Sequence, residues 1–342
     1  MNISRTPDSL RDVLPSEDVI EIARSHLFDH LPSRGLGEER LSEHLKHHVV
    51  SGSNRASESP HYYGFVTGGA TPVATLADNI VTKLDNSPQV HLPKETIVTD
   101  VEDRALRMVC ELIDVRPQEF RHRTFTTGAT ASNVVGLACG REYVIQQAAR
   151  RQGLDVSVGE EGISKAMRKA GLDDVQILTT VPHSSLRKAA SIVGLGRASV
   201  IDVGLAEAKH RFDLGALEGH LKKSGIASIV AVSCAEVNTG LFATDGAHMQ
   251  RIRDLCHTYG AWLHVDAAFG LLARVLPDVN DYCLLREGVA GLELADSIAG
   301  DAHKLLNVVG QFATLNGLEL YRLTKQALRL WNILLTPSSP WR

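Results

Sequence analysis

The 342-residue sequence lacks the features that mark several specialised protein classes. Its five cysteines are scattered and form no C-x-x-C pair, so we expect reduced thiols in a cytoplasmic protein. No apolar run approaches the length of a membrane span, and the first ten residues contain no apolar signal core. The net charge of −4 gives no reason to expect a nucleic acid or an anionic membrane as a partner. With 44% hydrophobic and 22% charged residues, the chain has the composition of one large globular domain with appendages.

Short apolar runs alternate with amphipathic segments between residues 171 and 260. The predicted strands are Val175–Thr180, Ser199–Val203 and Ile226–Val232, and the predicted helices are His183–Ile192, Leu214–Lys223 and Gly246–Tyr259. This alternation predicts an α/β fold whose mainly parallel sheet is covered on both faces, with ligands at the carboxyl ends of the strands. No G-x-G-x-x-G fingerprint follows a strand, since Gly194-Leu-Gly196 lacks the third glycine.

Two stretches after this region carry the residues with the most specific chemistry. Trp262–Gly270 is typical of a buried strand that ends near Asp266, and Asp296–Asn307 is typical of another strand, followed by a turn that presents Lys304. A carboxylate at a buried strand end is costly unless it is paired. Pyridoxal phosphate requires a lysine that bonds to its aldehyde carbon and an anion beside its ring nitrogen, so an acid and a lysine at neighbouring strand ends suit it. His264 and Asp266 also have a spacing that metal ligands use, but no third ligand is nearby and we predict no metal site.

A third stretch, Thr124–Asn133, reads as a strand, then small and hydroxyl residues, then the start of an apolar helix. Such an arrangement directs unpaired backbone N–H groups and the positive end of the helix dipole towards a ligand, which favours an anion such as phosphate. The alternative is an ordinary helix cap made by Thr130 or Ser132. The motif alone leaves both interpretations open.

Other polar residues lie in segments that also have ordinary interpretations. His183 follows a strand directly, where a hydrogen-bonded loop histidine is common, and Asn238–Gly240 has the composition of a turn. His61–Pro72 contains two adjacent glycines, which suit a plain turn as well as a close approach to a ligand. His91 precedes a predicted helix and could face either an active site or solvent.

That predicted helix begins with a capping-box pattern, Thr99–Glu102. Its expected core-facing positions recur at helical spacing and are Val101, Ala105, Met108, Val109 and Leu112. Residues 1–60 are polar and broken by prolines and glycines, which predicts short helices followed by a loop. The histidines at 44, 47 and 48 invite a metal interpretation, but a solvated helix face is favoured because no acid or cysteine completes a ligand set.

Taken together, His264–Phe269, Asp301–Lys304 and the turn at Gly128–Asn133 resemble the group II pyridoxal-phosphate-dependent amino-acid decarboxylases, which include aromatic-amino-acid, tyrosine and glutamate decarboxylases. The resemblance covers roughly residues 60–307 and rests on several motifs in the family's order. It implies the aspartate-aminotransferase-like fold (fold type I), with residues 61–307 as the large cofactor-binding domain. Ala131-Ser132 stands where Glu-Ala is usual in the family.

The resemblance also implies roles for individual residues. Lys304 would bond to the cofactor, Asp266 would hold its ring nitrogen, and His183 would stack on the ring; we expect these three to be catalytic. The other implied contacts are Ala129 and Thr130 with the phosphate, Ala268 with the ring, His303 with the phosphate or the lysine link, Thr239 with the cofactor or the substrate carboxylate, and Thr67 with the substrate. We add His91 as a second expected substrate contact.

The reaction implied is decarboxylation of an L-amino acid, and an aromatic one such as tyrosine is the first expectation, ahead of glutamate. Alternatives are another pyridoxal-phosphate-dependent lyase or aldolase, or a non-catalytic remnant that only binds the cofactor. The resemblance further implies a homodimer in which residues 1–60 pack against the second subunit.

After Val308 we expect the resemblance to end. Residues 308–342 would be an atypical tail with one helix-like segment, Leu318–Leu335, and the family's small C-terminal domain would be missing, as in a truncated gene model. Family members carry, on a loop beyond the lysine, a tyrosine that returns a proton to the substrate. Tyr321 is the only tyrosine after Lys304, and nothing in the sequence assigns it that role.

Overall fold

The computed structural model describes residues 13–59, 69–86, 90–308 and 332–336, and the chain divides into two units, residues 1–71 and 72–342. The strands are β1 (His122–Thr126), β2 (Asp174–Thr179), β3 (Val200–Asp202), β4 (Ile226–Ser233), β5 (Trp262–Ala267), β6 (Ser297–Asp301) and β7 (Asn332–Thr336). The helices are α1 (Glu17–Ser25), α2 (Glu38–His44), α3 (Pro72–Leu84), α4 (Val98–Leu112), α5 (Ala129–Arg150), α6 (Val158–Glu161), α7 (Ile163–Lys169), α8 (Ser184–Ile192), α9 (Leu214–Leu221), α10 (Gly246–Tyr259), α11 (Cys283–Gly288) and α12 (Ala302–Leu305).

The first unit contains α1 and α2, and a π-helical turn over Leu45–Val49 continues α2. Imidazole rings cluster here: the ring centroids of His26 and His48 are 3.9 Å apart, and those of His44 and His48 are 5.6 Å apart. Across the described residues, no group of three or more His, Cys, Asp or Glu side chains is arranged to hold a metal ion.

The second unit is built on one sheet with the strand order β1-β7-β6-β5-β4-β2-β3. The five strands from β6 to β3 run parallel, whereas β7 is antiparallel to both β6 and β1. Apolar clusters lie in the core that the sheet shares with its helices; one is centred on β4, β5 and α10, and another on β2, α5 and α8. The α/β architecture and the mainly parallel sheet predicted from the sequence are confirmed.

Individual elements between residues 171 and 260 also match their prediction closely. β2, β3 and β4 lie within two residues of the predicted strands, and α10 spans the predicted residues and ends at Gly260, whose φ of 69° is left-handed. The strands could be identified as short apolar runs because their apolar residues are buried on both faces of the sheet.

Helix α4 exists as predicted, but its cap and its buried face differ from the prediction. The helix begins at Val98, and Thr99 caps nothing, because its hydroxyl contacts His91 Nδ1 at 2.8 Å. The side chains at full burial are Leu106 and Cys110, whereas Met108 is 61% exposed. Val101 and Leu112 are also exposed, whereas Ala105 and Val109 of the predicted stripe are partly buried and pack against the core. Two apolar stripes run along this helix, and the sequence did not show which one faces the sheet.

The C-terminal prediction is wrong where the structure describes it. Residues 332–336 form β7, which pairs with β1 and β6, although residues 332–335 fall within the helix-like segment expected from the sequence. Three consecutive apolar residues, Ile333–Leu335, suit a strand as well as a helix, and pairing with two neighbours decides between them.

Two glycines one helical turn apart let α5 lie directly on β5. A Cβ atom built on Gly136 would be 2.6 Å from His264 Cε1, and one built on Gly140 would be 2.7 Å from Trp262 Cδ1. Both neighbouring rings are fully buried, so neither can move away easily. Helix α5 therefore needs glycine at these positions to reach its observed distance from the sheet.

Replacing Gly136 with alanine should lower the free energy of unfolding, because overpacking of about 1–3 kcal/mol outweighs the roughly 1 kcal/mol that alanine contributes as a helix former. Gly219 on α9 is exposed, and nothing lies within 4 Å of an added Cβ, so Gly219→Ala should raise the stability instead. Urea denaturation of both variants checks the pair. Equal effects of the same sign would contradict the close packing described for Gly136.

Candidate active site

A cavity of about 650 Å³ opens where the parallel strands end, within the size range of small-molecule sites. Six residues that the sequence analysis assigned to a cofactor site line it together: Ala129, Thr130, His183, Asp266, Ala268 and Lys304. They come from four separate segments: the start of α5, the residue before α8, the end of β5 with the residue after it, and α12. Their convergence follows from the parallel sheet, which brings the carboxyl ends of its strands to one edge.

Asp266 lies near the end of β5 and is only partly buried, with its carboxylate at the cavity wall. Asn133 Nδ2 donates a hydrogen bond of 2.8 Å to Asp266 Oδ2, and the backbone N–H of Ala268 donates one of 3.3 Å to Oδ1. Both carboxylate oxygens are thus held by neutral donors. In the described part of the chain no cation forms an ion pair with Asp266, so its negative charge can serve a cationic group in the cavity.

Lys304 lies in the short helix α12, and its ammonium group faces two neighbours. Lys304 Nζ is 3.3 Å from Asp301 Oδ2 and 3.7 Å from the centroid of the Phe269 ring. Asp301 is buried at the end of β6, and its other oxygen is 2.6 Å from His303 Nδ1. Asp301 therefore holds the lysine at the cavity wall, and its spacing of three residues before Lys304 is the sequence signal for that contact.

Helix α5 begins at the cavity without a side-chain cap. Among the described residues, no side chain accepts a hydrogen bond from its first turn. The Ser132 hydroxyl instead lies 2.7 Å from Thr126 Oγ1, which itself donates to Gly128 O at 3.1 Å. Neither Thr130 nor Ser132 therefore makes the ordinary helix cap considered from the sequence. This end of a helix of 22 residues presents N–H groups and positive dipole to the cavity.

His183 is itself the N-cap of α8. Its Nδ1 accepts from the backbone N–H of Ser185 at 3.3 Å and lies 2.8 Å from the Ser185 hydroxyl. With Nδ1 occupied in this way, the ring is fixed against the wall of the cavity.

Some residues assigned from the sequence do not line the cavity that the described residues form. Thr239 is exposed, and His303 contacts Asp301 instead. His91 is exposed and contacts Thr99, so its expected contact with substrate finds no support within a single chain. Thr67 lies outside the described residues.

Glu236 lines the cavity, and the sequence analysis missed it. Its carboxylate is buried and accepts four hydrogen bonds, from the backbone N–H and side chain of both Asn238 and Thr239, at 2.5–3.0 Å. Burial acts to raise the pKa of Glu236, but these donors outweigh it and the pKa lies below its usual value. Thr239, expected to contact the cofactor or the substrate carboxylate, donates to Glu236 and helps it to close its own loop.

Substituting Glu236 with glutamine should loosen this loop, because an amide presents one N–H₂ group where only donors surround it. We expect the free energy of unfolding to fall by about 1–3 kcal/mol, the cost of buried donors left without an acceptor. The wild-type contribution should be present at neutral pH and be lost as the pH falls through the lowered pKa of Glu236. Urea denaturation of both proteins at several pH values measures this, and parallel stability curves would contradict it.

His264 is fully buried behind the cavity. Its Nε2 is 2.9 Å from Asn133 Oδ1 and its Nδ1 is 2.7 Å from Ser297 Oγ. Burial lowers the pKa of His264 to about 4, against the opposing effect of the Asp266 charge. The ring is therefore neutral at physiological pH.

This lowered pKa predicts acid sensitivity. The unfolded chain binds a proton at His264 below about pH 6.5, whereas the folded chain binds it only near pH 4. Stability from this residue is therefore complete above pH 6.5 and falls as the pH drops from 6.5 towards 4. The His264→Gln variant should show a flatter decline of unfolding free energy over this window than the wild type. An identical decline in both proteins would contradict a neutral buried imidazole.

Another cavity, of about 580 Å³, lies at the opposite edge of the sheet, near the C-terminal ends of α5, α9 and α10. Its cations, such as Arg151 and Lys222, suit those helix ends, whose dipoles are negative, so they give no indication of an anionic ligand. No helix in the described residues has the length and apolar character needed to cross a membrane.

Comparison with known proteins gives the same family as the site. A profile described as "Pyridoxal-dependent decarboxylase conserved domain" matches residues 23–328. The match begins before residue 60 and continues past Val308, so both limits of the resemblance expected from the sequence were too narrow.

Curated relatives include L-2,4-diaminobutyrate decarboxylase of Rhizobium meliloti, 31% identical over 77% of this chain and 45% of that protein. Human cysteine sulfinic acid decarboxylase is 28% identical over 81% of this chain and 50% of that protein. The chain thus spans about half the length of the curated relatives it matches.

Solved structures share the fold. A tryptophan decarboxylase of Catharanthus roseus in complex with L-tryptophan superposes with a TM-score of 0.66 at 16% identity, covering 95% of this chain and 61% of that one. Oryza sativa TDC with PLP and tryptamine superposes with a TM-score of 0.67 at 20% identity, covering 95% and 61%. With the profile match over most of its length, the chain belongs to the pyridoxal-dependent decarboxylase family.

Proposed function

We propose that this chain carries the pyridoxal-phosphate site of an amino-acid decarboxylase. The observation that supports this most strongly is the meeting of Lys304 and Asp266 in one cavity, at the ends of neighbouring parallel strands. A lysine and an unpaired carboxylate are the two groups that this cofactor requires of a protein.

The residues present fit each part of the cofactor. The uncapped start of α5, with Ala129 and Thr130, would hold the phosphate. His183 and the small Ala268 would contact the two faces of the ring. Asp266, which has no cationic partner among the described residues, would accept the proton-bearing ring nitrogen.

Pyridoxal phosphate supplies a conjugated, electron-withdrawing ring that accepts the electrons of the bond between the α-carbon and the carboxylate as carbon dioxide leaves. The chain's own contribution is to hold and orient. Asp266 would hold a proton on the ring nitrogen by its fixed negative charge and so stabilise electron density in the ring. Lys304 would supply the amine that holds the cofactor, and Asp301 places that amine at the cavity wall. His183 would limit the tilt of the ring.

The substrate is proposed only as an L-α-amino acid. The relatives act, by their names, on diaminobutyrate, cysteine sulfinate, aspartate and tryptophan. The side chains of these substrates differ in charge and size. The preference for aromatic amino acids such as tyrosine stays a prediction from sequence resemblance.

Release of labelled carbon dioxide tests the reaction. The chain, supplied with pyridoxal phosphate, is given tyrosine, tryptophan, glutamate, aspartate, cysteine sulfinate or 2,4-diaminobutyrate, each labelled in the α-carboxylate. We expect labelled gas from at least one, together with the matching amine. A cofactor-loaded chain that releases none would favour a binding remnant, and cleavage with retention of the carboxyl label would favour an aldolase-type lyase.

We further propose that the chain forms a homodimer. Val73, Leu76, Ile80 and Leu84 form an apolar stripe along α3, and their side chains are 50–71% exposed in the single chain. A double substitution to aspartate at Leu76 and Ile80 should give a monomer in analytical ultracentrifugation. A wild-type chain that sediments as a monomer would refute the proposal.

We also propose a reducing compartment such as the cytoplasm. All five cysteines are free thiols, and three of them are buried.

A further inference from the structure

Asn133 lies just after the first turn of α5 and is completely buried behind the cavity. Its side chain contacts three polar residues: Asp266 at 2.8 Å, His264 at 2.9 Å and Ser185 at 3.3 Å. Asp266 and Ser185 belong to two different walls of the cavity, and His264 lies buried behind it. Asn133 itself does not line the cavity that the described residues form.

The chemistry of its partners fixes the direction of every bond. The Asp266 carboxylate only accepts, so Asn133 must present Nδ2 to it. Asn133 Oδ1 then faces His264, whose Nε2 must donate. A neutral imidazole that donates through Nε2 accepts at Nδ1, so the Ser297 hydroxyl donates there.

The chain of bonds continues to the core of the sheet. The indole N–H of Trp262 donates to Ser297 Oγ at 2.9 Å, and both residues are buried. One continuous series of hydrogen bonds thus connects Trp262, Ser297, His264, Asn133 and Asp266, and each bond is donated in the direction of Asp266. Reversing any bond would leave a buried donor facing another donor, which costs free energy.

Close packing keeps this series of hydrogen bonds rigid. Gly136 and Gly140 bring α5 against the His264 and Trp262 rings, as described above, so neither ring can turn without displacing the helix. The second Asn133 contact extends to the other wall, because Ser185 Oγ is 2.8 Å from His183 Nδ1.

We infer that Asn133 is a positioning residue. Held by the buried hydrogen bonds from Trp262 through Ser297 and His264, it fixes the Asp266 carboxylate for the cofactor's ring nitrogen. Through Ser185 it also holds the His183 ring in place. The inference rests on the proposed function, because it concerns the same site. Asn133 acts on the cofactor through other side chains and does not touch it.

Binding of pyridoxine 5′-phosphate separates this role from the lysine chemistry, because that analogue has the ring nitrogen and the phosphate but no aldehyde. Asn133→Leu retains the volume and removes the amide. The matched control is Gln176→Leu, a buried amide on β2 that bonds His220 O and Ser228 Oγ at 3.0 and 2.9 Å, outside the cavity. Calorimetric titration gives the affinities, and thermal melting gives the stability.

We expect Asn133→Leu to bind the analogue roughly tenfold or more weakly, since a hydrogen bond to a charged group is lost. Gln176→Leu should lower the melting temperature comparably and leave the affinity unchanged. Competition by inorganic phosphate alone should be similar in the wild type and in Asn133→Leu, because the first turn of α5 still presents its N–H groups.

Ser297→Ala tests the same series of hydrogen bonds at a position farther from Asp266, and it changes the side chain less. It should weaken binding in the same direction but less than Asn133→Leu does, and the double variant should bind no more weakly than Asn133→Leu alone. If Asn133→Leu fails to fold, this variant alone decides the question.

Wild-type affinity in Ser297→Ala and Asn133→Leu, or additive losses in the double variant, would overturn the inference. Equal loss of affinity in Gln176→Leu would also overturn it, because the effect would then be general damage. A wild-type chain that binds neither pyridoxal phosphate nor the analogue would instead refute the proposed function, so the two failures are distinguishable.

Discussion

Replacing Lys304 with alanine is expected to abolish covalent attachment of pyridoxal phosphate and to lower any decarboxylase rate by roughly 10³-fold or more, as the loss of a group central to the chemistry does in other enzymes. The reason is geometric: Lys304 is the lysine that lines the described cavity, beside Asp301 and the Phe269 ring. Absorbance of the cofactor-loaded protein and carbon dioxide release measure the two effects.

Lys169→Ala is the matched control. Lys169 is an exposed lysine that does not line the cavity. It pairs with Glu161 at 2.5 Å, and such surface pairs contribute little to stability. Circular dichroism must accompany both variants, because Lys304→Ala removes the lysine partner of the buried Asp301 and leaves only its contact with His303. If the folded Lys304→Ala variant kept the cofactor covalently bound, another lysine would hold it and the assignment would be wrong.

The second large effect is expected for Asp266. Its replacement with alanine should lower turnover by about 10²–10³-fold, the magnitude seen when one preorganised electrostatic group is removed. Substrate affinity should change much less, because the carboxylate acts on the ring nitrogen and not on the amino acid. A smaller loss of cofactor affinity should accompany it.

Steady-state kinetics of Asp266→Ala and Asp266→Glu check this expectation. Glutamate retains the charge, so it should recover part of the turnover, whereas alanine should not. Unchanged turnover and an unchanged visible spectrum in Asp266→Ala would show that the ring nitrogen finds its partner elsewhere.

Much of the site could be expected from the sequence because parallel strands end at one edge of a sheet. Asp266, Lys304 and the start of α5 are far apart in sequence, yet each lies near the end of a strand or shortly after one, and the topology brings them into one cavity. The strands themselves were recognisable because their apolar runs are buried on both faces.

The side-chain network behind the cavity could not be expected in the same way. Asn133 lies on the inward face of α5, but nothing in its own segment indicates that Asp266 and His264, more than 130 residues away, are its partners. Likewise, only the folded loop shows that the Thr239 hydroxyl bonds Glu236 instead of a ligand. The buried stripe of α4 was misjudged for a related reason, since the choice between two apolar stripes depends on what packs against the helix.

The central claim is that Lys304 is the residue that binds pyridoxal phosphate, and chemical mapping tests it most directly. The chain is incubated with pyridoxal phosphate, its visible spectrum is recorded, and the bound cofactor is then fixed by borohydride reduction and located by peptide mass spectrometry. The account predicts a visible band that disappears on reduction and a label confined to Lys304. Absence of the band, or a label spread over surface lysines, would contradict it.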